Sequence, residues 1–204
     1  MKKIDINFLE PSKQQLNSLL EYYQAGRYID AEKLSVSITE EFPKYPFAWK
    51  VLGAALKQIG KIKESLVAFQ KSVELDPEDS EAHNNLGNAL KELGRLDEAK
   101  ASYRQAIVLK PNYTEAHYNL GATLKNQGRL DEAEASYRKV IKLKPDLTEA
   151  HNNLGNTLKE QGKLDEAEAS YRQAIVLKPD LTEAHNNLGA TLKEQGKLDE
   201  AEAS

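Results

Sequence analysis

The chain has 204 residues, with 28 Lys and Arg against 32 Asp and Glu, a net charge of −4 at pH 7. That balance argues against nucleic acid or an acidic membrane as partner, since both demand clustered positive charge. There is no cysteine, which removes disulfide and thiolate chemistry and suits a cytoplasmic protein, and 40% hydrophobic residues supply a core that a disordered chain lacks.

Residues 1–11, MKKIDINFLEP, form an N-terminal segment. Asp5 and Asn7 interrupt its apolar residues, so no signal-peptide core forms. Ile4, Ile6 and Phe8 alternate as a short extended segment would, and a disordered tail is the equal alternative. No run anywhere approaches the roughly 18 apolar residues of a membrane span.

From residue 12 the chain repeats with a step of 34. Gly87, Gly121, Gly155 and Gly189 keep that step, as do Gly94, Gly128, Gly162 and Gly196, and Pro77, Pro111, Pro145 and Pro179. The blocks are 12–45, 46–79, 80–113, 114–147, 148–181 and a partial 182–204. Numbering each block 1–34, position 8 is Gly in blocks two to six and position 15 is Gly in all six. Position 20 is Ala or Ser, position 24 is aromatic in blocks two to five, and position 32 is Pro in every complete block.

Within a block, the first predicted helix covers positions 2–14. At about 100° per residue, positions 3, 4, 7, 8, 10, 11 and 14 share one face. In block five these are Ala150, His151, Leu154, Gly155, Thr157, Leu158 and Gln161, mostly small or apolar. Gly at position 8 permits close approach of a neighbouring helix, and Gly at position 15 suits a left-handed C-cap. A second amphipathic stripe follows at Leu164, Ala167, Tyr171, Ala174 and Ile175, with Asp165 and Glu166 near its positive N-terminus. Pro179 closes the unit, and Asp180 with Glu183 reads as a cap with its reciprocal partner. One block cannot bury both stripes, so neighbours must stack as an α-solenoid whose first helices line the concave face.

This pattern of Gly, Gly, small, aromatic and Pro positions resembles the tetratricopeptide repeat family over residues 12–204, with block one the weakest match because Leu19 replaces the first Gly. The resemblance implies an all-α, right-handed superhelical α-solenoid of helix–turn–helix units forming one repeat domain, and a binding role without catalysis.

The remaining first-helix positions, 2, 5, 6, 9, 12 and 13, lie opposite the packing face and are expected to line the groove. They carry Asn84, Asn85 and Asn88 in block three, Tyr118 and Asn119 in block four, Asn152, Asn153 and Asn156 in block five, and Asn186 and Asn187 in block six. Position 12 adds Lys91, Lys125, Lys159 and Lys193. A carboxamide has one donor group and one acceptor, matching a peptide unit. A row of them can hold an extended polypeptide by its backbone. First helices about 10 Å apart would meet roughly every third residue of a strand. At about 0.5–1.5 kcal/mol per hydrogen bond, such a ladder binds weakly and tolerates any side chains.

The phrases AHNNLGN (82–88) and NTLKEQGKLDEAEASYRQAI (156–175) resemble the repeat domains of O-GlcNAc transferase-like proteins, and that likeness implies a peptide-binding asparagine ladder. Three readings follow: a protein-interaction scaffold, the substrate-recognition arm of a larger enzyme such as a glycosyltransferase, or a structural module associating end to end. Neutral duplication of one block is the rival account of the repeated Asn.

Other signals carry less. His83, His117, His151 and His185 share position 4, where block two has Trp49. Adjacent blocks hold them about 10 Å apart, too far to share a metal, so they read as packing residues. Gly155…Gly162-Lys163 has the wrong spacing for a phosphate loop and lacks the following Ser or Thr. No nucleophile or metal motif is present, and no cofactor is implied. Glu, Asn and Asn at positions 2, 5 and 6 disfavour a clamp for C-terminal carboxylates. Glu81, Glu115, Glu149 and Glu183 could steer a basic peptide, but as helix caps they need no such role. The chain ends on a copy of interior sequence: the last block matches 22 of the first 23 positions of its predecessor. Leu188, Leu192 and Leu198 then have no downstream partner, which predicts a fragment of a longer protein, fraying beyond about residue 198, and head-to-tail self-association through the uncapped end.

Overall fold

The computed structural model describes residues 10–197 and 201. The described residues form α1 (Lys13–Gln24), α2 (Tyr28–Glu41), α3 (Pro46–Gln58), α4 (Ile62–Leu75), α5 (Ser80–Glu92), α6 (Leu96–Leu109), α7 (Thr114–Asn126), α8 (Leu130–Leu143), α9 (Thr148–Glu160), α10 (Leu164–Leu177) and α11 (Thr182–Glu194). The expectations for Ile4, Ile6 and Phe8, and for the end beyond Leu198, fall outside the described residues.

Each block contributes a first helix and a second helix joined by a tight turn. Position 15 makes that turn. Gly162 has φ +75°, and the other five glycines at this position lie between +70° and +80°. This left-handed conformation lets the Gly162 amide donate to the Lys159 carbonyl and the Lys163 amide to that of Leu158, both at 2.9 Å. The last carbonyls of α9 are thereby satisfied.

The second helix stops at the residue before proline. Asp76, Lys110, Lys144 and Lys178 all have φ between −135° and −142° and ψ between 85° and 90°. The proline ring disfavours a helical conformation in its predecessor, so the helix cannot continue.

The next first helix does not start as expected. Its N-cap is position 34, one residue beyond Asp180. Leu181, Leu147 and Tyr113 occupy it and supply no side-chain cap. The Asp180–Glu183 capping box is therefore not formed, and capping does not explain Glu115, Glu149 or Glu183. Asp79 caps α5 instead, accepting from the amides of Glu81 and Ala82 at 2.9 and 3.0 Å. Ser12 and Gln15 do form a reciprocal capping box on α1.

The chain divides into two compact units, one ending at Lys110 and one starting at Pro111. The first contains three helical hairpins. In it α2 packs on α3 and α4 on α5, so each second helix is shared between its own block and the next. The second unit repeats the arrangement: α8 packs on α9, and α10 on α11. First helices also meet their equivalents, α3 with α5 in the first unit and α7 with α9 and α9 with α11 in the second. Each unit is thus a solenoid stack, the all-α arrangement that two apolar stripes per block require.

The core of the hairpins α3–α4, α5–α6, α7–α8 and α9–α10 is one aromatic ring laid against a glycine. Phe69, Tyr103, Tyr137 and Tyr171 are at most 1% exposed. They sit over Gly53, Gly87, Gly121 and Gly155, where an added Cβ would stand only 2.5–3.1 Å from the ring. At Gly53, Gly87 and Gly155, where the gap is 2.5–2.7 Å, a Cβ would force the ring or the helix to shift; at Gly121, at 3.1 Å, the crowding is milder.

Candidate functional site

In the second unit the face of α7, α9 and α11 opposite the packing stripe carries the expected polar residues, but they differ in depth. Asn153 and Asn187 are half-buried and Asn186 is exposed. Asn152 is only 4% exposed and Asn119 only 8%. These two do not present themselves to a groove, as the helical wheel had suggested. Asn119 stands at position 6 and Asn152 at position 5, and the next first helix, α11, closes over Asn152. The Asn152 amide donates to Glu183 Oε1 of α11 at 2.9 Å, and Asn187 of α11 donates toward Asn152 Oδ1 at 3.4 Å.

The hydrogen bonds form a web rather than a set of separate rungs. Asn187 also donates to Asn156 Oδ1 at 2.9 Å, and the same oxygen accepts from the Tyr171 hydroxyl at 2.8 Å. The buried ring beneath the groove is thereby tied to its floor. Asn153 Nδ2 donates to the Tyr118 hydroxyl at 2.8 Å, joining α9 to α7. After these bonds, the carboxamide oxygens of Asn153 and Asn187 still offer acceptor capacity at the surface.

In the first unit Asn84 is fully buried and is likewise a packing residue, not a groove residue. Asn88 Oδ1 accepts from the Tyr103 hydroxyl at 2.8 Å, the same tie that Asn156 makes to Tyr171. Asn85 is half-buried.

The position-12 lysines are mostly engaged. Lys125 pairs with Glu160 at 2.6 Å and Lys159 with Glu194 at 2.9 Å, each pair joining one first helix to the next. Lys57 makes the corresponding pair with Glu92 in the first unit, at 3.1 Å. Burial, and secondly the neighbouring Lys57 charge, hold the Lys91 ammonium below the usual lysine range, against the pull of Glu92. Lys193 is exposed.

The histidines do more than fill space. His83, His117, His151 and His185 each place Nε2 2.8–3.0 Å from the carbonyl of Pro77, Pro111, Pro145 and Pro179, six residues earlier. A carbonyl only accepts, so each ring donates there. Trp49 Nε1 donates to the Pro43 carbonyl at 2.9 Å in the same way. Sequence reasoning missed this bond. Its signal was present: in blocks two to six position 4 holds only residues with a ring N–H, and a proline stands six positions before each of them.

Among the acidic residues at position 2, Glu81 receives Lys50 at 2.7 Å, beside Asp79 at 2.9 Å, and Glu183 receives Asn152 as above. No helix among the described residues is long and apolar enough to cross a membrane.

Comparisons agree with this architecture. The TPR repeat family model matches residues 87–128, 124–162 and 155–196. Tetratricopeptide repeat models also match 68–101 and 48–79. No curated protein matches the sequence. Among solved structures, the MamA protein is 24% identical with a TM-score of 0.74, over 81% of this chain and 90% of that one. YrrB, described as a TPR protein with an unusual peptide-binding site, is 24% identical with a TM-score of 0.74, over 85% of this chain and 90% of that one. PilW, described as a widely conserved type IV pilus biogenesis factor, is 22% identical with a TM-score of 0.81, over 95% and 92% of the two chains. At these identities the likeness is one of fold.

Proposed function

Because the chain belongs to the tetratricopeptide repeat family, we propose that it is a protein-interaction scaffold that holds an extended polypeptide along the first-helix face of its units. The observation carrying this is the division of labour among the asparagines. Asn84 and Asn152 at position 5 and Asn119 at position 6 are buried, whereas Asn85, Asn153 and Asn187 at position 6 stay half-buried with carboxamide atoms open to a peptide backbone. Partial burial strengthens such bonds by lowering the local dielectric while leaving access for a ligand. YrrB, with its described peptide-binding site, supports the same reading by analogy. The reading needs no cofactor and assigns no catalysis.

The test uses the whole chain. Peptides selected from a random display library are titrated by fluorescence anisotropy, and the side-chain amide resonances are followed by NMR. Binding should shift the Asn85, Asn153 and Asn187 amide signals. Replacing all three by Ala should weaken binding at least tenfold, given about 0.5–1.5 kcal/mol for each bond, with helicity unchanged. Selected peptides that leave these resonances still and bind the triple variant equally well would remove the groove assignment.

A further inference from the structure

One place on the second unit departs from the asparagine pattern. Position 5 is Asn84, Asn152 and Asn186 in blocks three, five and six, but Tyr118 in block four. Tyr118 forms one wall of an open cleft of about 490 Å³, shared with Thr114, Glu115, Lys144, Leu147 and Glu149. The ring is fixed on two sides: it meets Tyr137 edge-on at 5.9 Å and 70°, and its hydroxyl receives Asn153 at 2.8 Å. Leu147 adds an apolar surface. Glu115 and Glu149 are exposed carboxylates, two against the single ammonium of Lys144. The negative field reaches the ring. Burial first, and then Glu149 and Glu183, raise the Tyr118 phenol above its ordinary range, although the Asn153 bond lowers it.

We propose that this cleft is a subsite for an arginine side chain of the bound polypeptide. A guanidinium lies flat on an aromatic face and forks onto a carboxylate, while its methylene stem covers apolar surface. All three features stand side by side here: the Tyr118 face, the Glu149 and Glu115 carboxylates, and Leu147. The subsite gives a register to a ladder that otherwise reads only backbone. It deepens the proposed function and rests on the groove reading.

Two fluorescein-labelled Ser/Thr-rich peptides test it, identical except for a central Arg or Gln. They are titrated against the intact chain, against Tyr118→Asn, against Glu149→Gln, and against the triple Asn85, Asn153, Asn187→Ala variant, with circular dichroism confirming each fold. The Arg peptide should bind the unaltered chain about tenfold tighter than the Gln peptide, within the range of a partly desolvated cation–aromatic contact. That ratio should fall toward one in Tyr118→Asn and drop several-fold in Glu149→Gln. The triple variant should weaken both peptides. If both peptides bind the unaltered chain alike while the triple variant weakens them, the subsite is wrong and the ladder stands. A preference that survives in Tyr118→Asn also overturns the subsite. If the triple variant changes neither peptide, the ladder itself falls, and absence of binding by either peptide overturns both.

Discussion

In block one the large and small residues trade places. Leu19 stands at position 8, where later blocks have Gly, and Ser35 at position 24, where they have Phe or Tyr. Both are fully buried, so total volume is kept while the shapes reverse. The exchange leaves one defect: the Ser35 hydroxyl is buried without a hydrogen-bond partner. Ser35→Ala should therefore be neutral or stabilise the fold by up to about 1 kcal/mol, because an unpaired hydroxyl loses its water on folding and gains nothing. A clear fall in the urea midpoint would show that the hydroxyl is engaged. The later blocks predict a graded series. At Gly155 a new Cβ would stand 2.6 Å from the Tyr171 ring, whose hydroxyl is anchored to Asn156. At Gly121 the gap to Tyr137 is 3.1 Å, and position 9 is Ala122, so no amide of that kind anchors the ring. Gly155→Ala should cost about 1–3 kcal/mol as an overpacked contact. Gly121→Ala should cost clearly less, since the helix-propensity gain of about 1 kcal/mol offsets the milder clash. Equal losses in thermal unfolding would contradict this account.

At the scale of the element, helix ends decide where pH acts. Asp79 caps α5 and pairs with Lys50, which is packed against Phe47 with its ammonium 5.7 Å from the ring centroid. Burial alone would raise the Asp79 carboxyl. The Lys50 ammonium and the amides of Ala82 and Glu81 override it and hold the carboxyl below its ordinary value. A depressed pKa means that folding favours the ionised form. The stabilisation is then fully present above the unfolded carboxylate pKa of about 3.9 and is lost as pH falls through the lower folded value. Asp79→Asn keeps an acceptor at the N-cap but carries no charge. The wild-type advantage over Asp79→Asn should be present at neutral pH and vanish on acidification below the ordinary carboxylate range, as read from urea midpoints. An advantage that grows on acidification would show that Asp79 is not the ionised partner of Lys50. The other first-helix starts at Tyr113, Leu147 and Leu181 have no side-chain cap, so they contribute no equivalent pH dependence.

At the scale of the whole molecule, the stacking of adjacent blocks within each unit makes stability a sum of local contributions. Helices meet their own hairpin partner and the helices of the adjacent block within each unit. A lesion in one block should therefore spread only a short distance. Gly155→Ala should raise amide hydrogen exchange in α8–α11 and leave α1–α4 at wild-type protection. An equal rise throughout the chain would show one cooperative transition instead. The ion pairs Lys125–Glu160 and Lys159–Glu194 lie along the stack but are partly exposed, so each adds at most about 1 kcal/mol and less at high salt.

The period of 34, the turns at Gly94, Gly128 and Gly162, the stops before Pro111, Pro145 and Pro179, and the glycine–aromatic core were all legible in the sequence. Each is a local requirement: a positive φ, a residue restrained by the following proline, or a stripe at helical spacing. Those demands hold whatever the neighbours do. The fate of the polar residues was not legible in that way. Asn152 is buried because Glu183 and Asn187 of α11 close over it, while Asn153, next in sequence, stays within reach of solvent. The hydrogen bond from His151 to the Pro145 carbonyl depends on how the turn folds back on the helix it feeds, and the place of Tyr118 beside Glu149 depends on the stacking of α7 against α9. A helical wheel treats each helix alone and carries no information about what the next helix covers. Only the tertiary structure decides which asparagines are buried and which reach solvent, because for Asn152 that choice is made by side chains some thirty residues away.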